Sequence, residues 1–136
     1  MKIKSLFSDV KLIEPIYHND DRGFFSEIYN KNIFYENGVN EKFIQDNLSF
    51  SLDINTIRGI HFQNKPYQQT KLLKVLKGSI FDVFIDLRKD SETYEKYNYI
   101  NLKEKDGWLY IPKGYAHGFC TTSSNTTVIY KVDNYY

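Results

Sequence analysis

Apolar positions in this chain come in short runs rich in β-branched and aromatic residues. Turn-forming clusters such as Asn19-Asp20-Asp21-Arg22-Gly23, Asn37-Gly38, Lys77-Gly78, Asp106-Gly107 and Pro112-Lys113-Gly114 separate them at even intervals. Repeated short strands with turns at such spacing predict an all-β sandwich or barrel rather than a β-α-β sheet. The clearest hairpin has residues 71–76 and 79–87 as its arms and Lys77-Gly78 as its turn. In the second arm, period 2 points Phe81, Val83, Ile85 and Leu87 one way and Ile80, Asp82, Phe84 and Asp86 the other. The first face is uniformly apolar. The second sets two acids among large apolar residues, as the lining of a barrel pocket or as its wet exterior; the exterior is expected for Asp86, and both readings stay open for Asp82. Only residues 30–41 read as helical, with Ile33 and Phe34 ahead of the Asn37-Gly38 stop, and residues 128–136 keep a strand pattern.

Composition narrows the class. The 136 residues suit one domain, 1–136, with no linker, repeat or low-complexity tract to divide it. Eighteen basic against 17 acidic residues give net charge +1, so no global field draws in nucleic acid or an anionic membrane, and any phosphate must be caught locally. A single cysteine rules out an internal disulfide and any multi-cysteine zinc site, and Cys120 reads as a small buried hydrophobe. No stretch approaches the apolar length of a membrane span and no signal-peptide pattern is present, so a cytoplasmic protein is expected. Twelve Tyr and ten Phe fit both strand-rich packing and flat walls around ring-shaped ligands. Trp108 and Tyr115 are expected in the core.

Two segments carry the chemistry: Arg58-Gly59-Ile60-His61-Phe62-Gln63, and the run from Gly107 to Phe119 with Pro112-Lys113-Gly114-Tyr115-Ala116-His117. Together with Gly78 they resemble the two half-motifs of the cupin barrel. Gln63 stands where a second metal-ligating histidine is expected, and residues 67–70 hold no carboxylate, so a bound metal is not expected. Eight ordered segments, from Asp21-Arg22-Gly23-Phe24-Phe25-Ser26-Glu27 through Gln45-Asp46-Asn47-Leu48-Ser49 and Lys71-Leu72 to Tyr130-Lys131, resemble the dTDP-4-dehydrorhamnose 3,5-epimerase family over essentially the whole chain.

The resemblance implies a metal-free, cupin-type double-stranded β-helix (a jelly-roll barrel) with one or two short helices and no cofactor. It also implies a homodimer acting on a nucleotide sugar. Epimerisation next to a ketone removes a weakly acidic C–H proton, holds the enolate and returns a proton to the opposite face. By resemblance His61 is the base, Lys71 the cation at the developing oxyanion and Tyr130 the acid. Arg22 and Arg58 clamp the diphosphate, with pairing of Arg22 to Asp20 or Asp21 as the alternative. Phe25, Glu27, Gln45 and Asn47 meet base and sugar, and His117 lines the pocket, holding Lys71 or substrate hydroxyls. The family pattern continues past the Tyr130-Lys131 segment into a tail whose aspartate holds the base histidine. Three expectations follow: the natural chain extends beyond Tyr136, Asp82 or Asp46 substitutes, or the protein is a slow or non-catalytic relative. Epimerisation at C3 alone, a 3,4-ketoisomerase and a sugar-nucleotide-binding cupin stay open as alternatives.

Overall fold

The computed structural model of the chain describes residues 1–136. Its strands are β1 (Lys2–Phe7), β2 (Val10–Glu14), β3 (His18–Asp20), β4 (Gly23–Phe25), β5 (Gln45–Ser51), β6 (Ile57–His61), β7 (Lys71–Lys77), β8 (Ser79–Asp86), β9 (Tyr97–Lys103), β10 (Trp108–Ile111), β11 (Tyr115–Thr121) and β12 (Thr126–Val132). One sheet runs β1-β2-β10-β7-β12-β5, a second runs β6-β11-β8-β9, and β3 and β4 form a separate ribbon. The inner faces of the two sheets enclose a core of which Val10, Leu73, Ile80, Phe84, Leu109 and Val128 are the most buried members.

A second apolar cluster, with Ile13, Phe34, Leu72 and Trp108, covers the outer face of the six-stranded sheet. Strand β10 is therefore buried on both faces, which is why Trp108-Leu109-Tyr110-Ile111 shows no polar alternation. The one helix, α1 (Lys31–Glu36), carries Phe34 into this cluster. It starts where the Asn30 side chain accepts from the Asn32 and Ile33 amides at 3.0 and 3.2 Å, and it stops at Asn37-Gly38 as expected.

Residues 71–87 are not a hairpin. Strand β7 lies between β10 and β12 in one sheet, and β8 lies between β11 and β9 in the other. Lys77-Gly78 is the corner at which the chain crosses from sheet to sheet. Gly78 sits at φ +86°, and an added Cβ would collide with the hydroxyls of Thr126 and Ser123, so the corner needs glycine twice over.

The two faces of β8 are also the reverse of a simple apolar-in reading. Ile80, Asp82, Phe84 and Asp86 are all 0% exposed, whereas Phe81 and Leu87 of the apolar row look outward. Asp86 is thus interior, contrary to expectation, because donors surround it. The Arg88 side chain binds it twice at 2.9 Å, and the hydroxyls of Ser91 and Thr93 each donate at 2.5 Å. Burial alone would raise the Asp86 carboxyl, but these donors outweigh it and hold the group well below the usual carboxylate range. Arg88 also grips Asp9 at 2.8 and 3.0 Å, tying the β1–β2 turn to the end of β8.

Cys120 pairs in register with outward-facing Phe81 and is half-buried on the outer side, not a core hydrophobe. The strand pattern at the end of the sequence stops at Val132. Asp133 then turns in to accept the Thr70 amide at 2.7 Å and to pair with Lys113 at 3.1 Å. Trp108 and Tyr115 are buried as expected. No helix is long and apolar enough to cross a membrane.

Candidate active site

The polar interior of the molecule gathers at the side where β5 and β6 form the free edges of the two sheets. Strand β5 is amphipathic the wrong way round: Gln45, Asn47, Ser49 and Ser51 are the less exposed row, while Leu48 and Phe50 are 68% and 55% exposed. A strand that puts its polar row inward is a cavity wall. Two adjoining cavities lie against it, of about 630 and 340 Å3. His61, Lys71 and Tyr130 line both.

These three side chains come from opposite walls. His61 ends β6, in the four-stranded sheet, and pairs in register with His117 on β11. Gly59 makes this approach possible: at φ +100° its missing Cβ would stand 2.8 Å from the His117 carbonyl oxygen and 3.2 Å from His61 Nδ1. Lys71 begins β7 and Tyr130 lies on β12, neighbours in the six-stranded sheet. Tyr130 is set between Leu73 on β7 and Asn47 on β5. A substrate in the cavity therefore has an imidazole on one side and an ammonium and a phenol on the other.

Electrostatics follow from burial. The phenol of Tyr130 is raised above its ordinary value by desolvation, with the Arg58 charge opposing, so it keeps its proton at neutral pH. Desolvation lowers Lys71, and the charge of Asp82 opposes that fall. Asp82 itself is raised by burial, opposed by His117, whose Nε2 lies 2.7 Å from Asp82 Oδ2, and then by Lys71. Arg58 lines the smaller cavity and stitches its back edge, donating to the Phe50 carbonyl at 2.8 Å and to Ser51 Oγ at 3.0 Å. Gln45 and Asn47 line the larger cavity and hold each other at 2.9 Å.

The structure thus brings together His61, Lys71, Tyr130, Gln45, Asn47, Arg58 and His117. It does not bring Arg22, Phe25 or Glu27 to the same cavities. Arg22 takes its alternative role, donating to Asp20 at 2.6 Å on the β3–β4 turn. Phe25 is 72% exposed, and Glu27 accepts from Asn30 at 3.2 Å. The ribbon rests on the outer face of the six-stranded sheet, where Tyr17 accepts from Lys74 at 3.1 Å and packs edge-on against Phe24 at 5.0 Å. Lys74 is on the face of β7 opposite Lys71, so the sheet itself stands between the ribbon and its own chain's cavity. Neither proposed substitute carboxylate reaches His61: Asp82 is bonded to His117, and Asp46 pairs with Lys131 at 3.0 Å on the outside. His117 holds Asp82 and not Lys71. Ser49, whose buried hydroxyl has no partner and lines the smaller cavity, ends the segment Gln45-Asp46-Asn47-Leu48-Ser49 of the resemblance without being among its expected site residues; the inverted alternation of β5 is the signal for it.

Comparison with known proteins identifies the family. The family model described as dTDP-4-dehydrorhamnose 3,5-epimerase matches residues 4–136. The chain belongs to the dTDP-4-dehydrorhamnose 3,5-epimerase family. It is 43% identical to the family's enzyme from Shigella flexneri over 136 residues, 98% of this chain and 75% of that one. The crystal structure of the Bacillus anthracis epimerase, with TDP and PPi bound, superposes with a TM-score of 0.94 at 48% identity, covering 99% of this chain and 79% of that one. The Legionella pneumophila family member, in complex with dTDP-4-keto-L-rhamnose, gives 0.92 at 36% identity, covering 99% and 72%. The fold of this chain is accordingly the cupin-type barrel of that family, as the half-motifs led one to expect. No group of three or more His, Cys, Asp and Glu side chains converges anywhere in the chain.

Proposed function

We propose that this chain, as a single domain, epimerises a dTDP-linked 4-keto-6-deoxyhexose at C3 and C5. The observation that carries the reading is the placement of an imidazole on one sheet and an ammonium and a phenol on the other, across one cavity. Inversion needs a proton acceptor and a proton donor on opposite faces of the sugar, and a fixed positive charge where the enolate oxygen develops. His61 takes the proton from the carbon beside the ketone. Lys71, drawn out of water, meets the charge growing on O4, where a desolvated cation is worth far more than one in solvent. Tyr130, protonated at neutral pH, delivers the proton from the far side. The nucleotide assignment rests on the relatives crystallised with TDP or a dTDP sugar.

The active form in this reading is a homodimer. Arg22, Phe25 and Glu27 are barred from their own cavity by the sheet beneath them, yet Phe25 is presented to solvent at the end of β4. A symmetric pair in which each ribbon reaches the other subunit's cavity gives these residues their place at the nucleotide. The test is incubation with dTDP-4-keto-6-deoxyglucose in deuterated water, followed by NMR. Deuterium entering C3 and C5 without migration of the carbonyl is expected. Carbonyl migration points to a ketoisomerase, and binding of dTDP without any exchange points to a non-catalytic cupin; either result overturns the proposal.

A further inference from the structure

The most unusual charged group inside the barrel lies outside the three residues to which the reaction was assigned. Asp82 is 0% exposed, at the centre of β8. Its Oδ2 lies 2.7 Å from His117 Nε2, while Oδ1 is buried without a hydrogen-bond partner. A carboxylate held so far from water with one oxygen unpaired is a poor way to stabilise a fold, because an apolar residue of similar shape fills the space without stranding a charge. Orphaned buried polar atoms are few in native proteins, and each calls for a use.

Lys71 supplies the use. It makes no direct ion pair, and its burial works against its charge. Around it, β6 brings His61 and Arg58, β11 brings His117 and Tyr115, β12 brings Tyr130, β8 brings Asp82, and Tyr136 lines the larger cavity; of these charges the one that acts on Lys71 is that of Asp82. The turn after β12 carries Asp133, which is spent on Lys113 and the Thr70 amide. Asp82 is therefore the anion that acts on Lys71, and it faces that lysine from the opposite sheet. We propose that Asp82 is a positioning residue for the reaction: anchored by His117, its buried carboxylate keeps the Lys71 ammonium charged and directed into the cavity.

The three groups support one another's charge. His117 opposes the rise that burial imposes on the Asp82 carboxyl. The anion in turn offsets the desolvation of Lys71. Without that negative charge the lysine loses its proton at lower pH, and a neutral amine cannot stabilise an oxyanion as the ammonium does. The proposal takes the epimerase reading as its basis, so its test includes a measurement that needs no substrate.

The side-chain titration of Lys71 is followed by 13C NMR in the wild-type chain and in Asp82→Asn, with Lys71→Arg identifying the signal. The Asn variant is expected to move the Lys71 midpoint down by about one pH unit or more. The high-pH limb of kcat should move down with it by the same interval, so that kcat falls about tenfold or more at pH values above both midpoints, and KM should change little. Asp82→Glu should restore part of both. A folded Asp82→Asn protein with an unmoved Lys71 midpoint overturns the proposal, and so does a fall in kcat with no change in the pH profile, which marks a merely structural role. If the Asn variant does not fold, His117→Phe serves: it removes the bond that anchors Asp82, and an unmoved Lys71 midpoint there overturns the proposal equally. A wild-type chain inactive on every 4-keto nucleotide sugar would refute the epimerase reading and leave the Lys71 titration to decide this one.

Discussion

The placement of Phe25 permits a test of whether the working site is shared between two chains. Phe25 is 72% exposed at the end of β4, on the far side of the six-stranded sheet from Lys71. An aromatic side chain buries roughly 150–250 Å2 when covered. At about 25 cal/mol per Å2, covering the exposed part of Phe25 is worth up to roughly 3–4 kcal/mol. Stacking of a base on an aromatic ring gives about 1–3 kcal/mol, so Phe25→Ala should raise KM by about 10- to 100-fold and leave kcat nearly intact. His61→Ala should do the reverse. The two variants are then mixed, dissociated and allowed to reassociate. Half of the random pairs are mixed dimers, and if each ribbon serves the other subunit, each mixed dimer has one site with both His61 and Phe25. Activity at low substrate should recover to about a quarter of wild type. If each ribbon serves its own subunit, no pairing restores a complete site; a mixture no more active than its parents refutes the shared-site account.

Three further outcomes follow from the same geometry. Lys71→Met should lower kcat by about 10²–10³-fold with little change in KM, read from steady-state rates, because the lysine acts on charge that appears only in the transition state. Tyr130→Phe should slow inversion more than exchange: His61 can still remove a proton and return deuterium to the same face, so NMR should show label entering unepimerised sugar. Asp86→Ala should cost about 3–5 kcal/mol in urea unfolding at neutral pH, since it strips Arg88, Ser91 and Thr93 of their common acceptor. The folded-state Asp86 carboxyl is held below its unfolded value, so its contribution is fully present above about pH 4 and is lost as pH falls through the folded value. The stability gap between variant and wild type should therefore narrow in acid.

What is legible in the sequence is mostly local. Alternation and turn residues mark the strands, Asn30 and Asn37-Gly38 bracket the helix, and the two half-motifs point to the barrel. What escapes it depends on which surfaces meet. Lys77-Gly78 has the chemistry of a hairpin turn, but the same two residues serve a corner between sheets, and only the partners of β7 and β8 tell them apart. At Asp86 polarity is a false guide to exposure, because its donors arrive from Arg88, Ser91 and Thr93 in the following loop. The Asp82–His117 contact joins residues 35 apart, beyond any periodicity. Resemblance picks out Arg22, Phe25 and Glu27, yet a linear motif carries no sign that the sheet will separate them from their own cavity.

In the proposed reaction His61 is the group that takes the proton. The direct measurement is deuterium entry at C3 and C5 of dTDP-4-keto-6-deoxyglucose with His61→Ala beside wild type, together with the affinity of each protein for dTDP. The expected result is a loss of exchange of about 10²–10⁴-fold at both carbons with dTDP affinity unchanged. Exchange that continues at the wild-type rate in His61→Ala would contradict it.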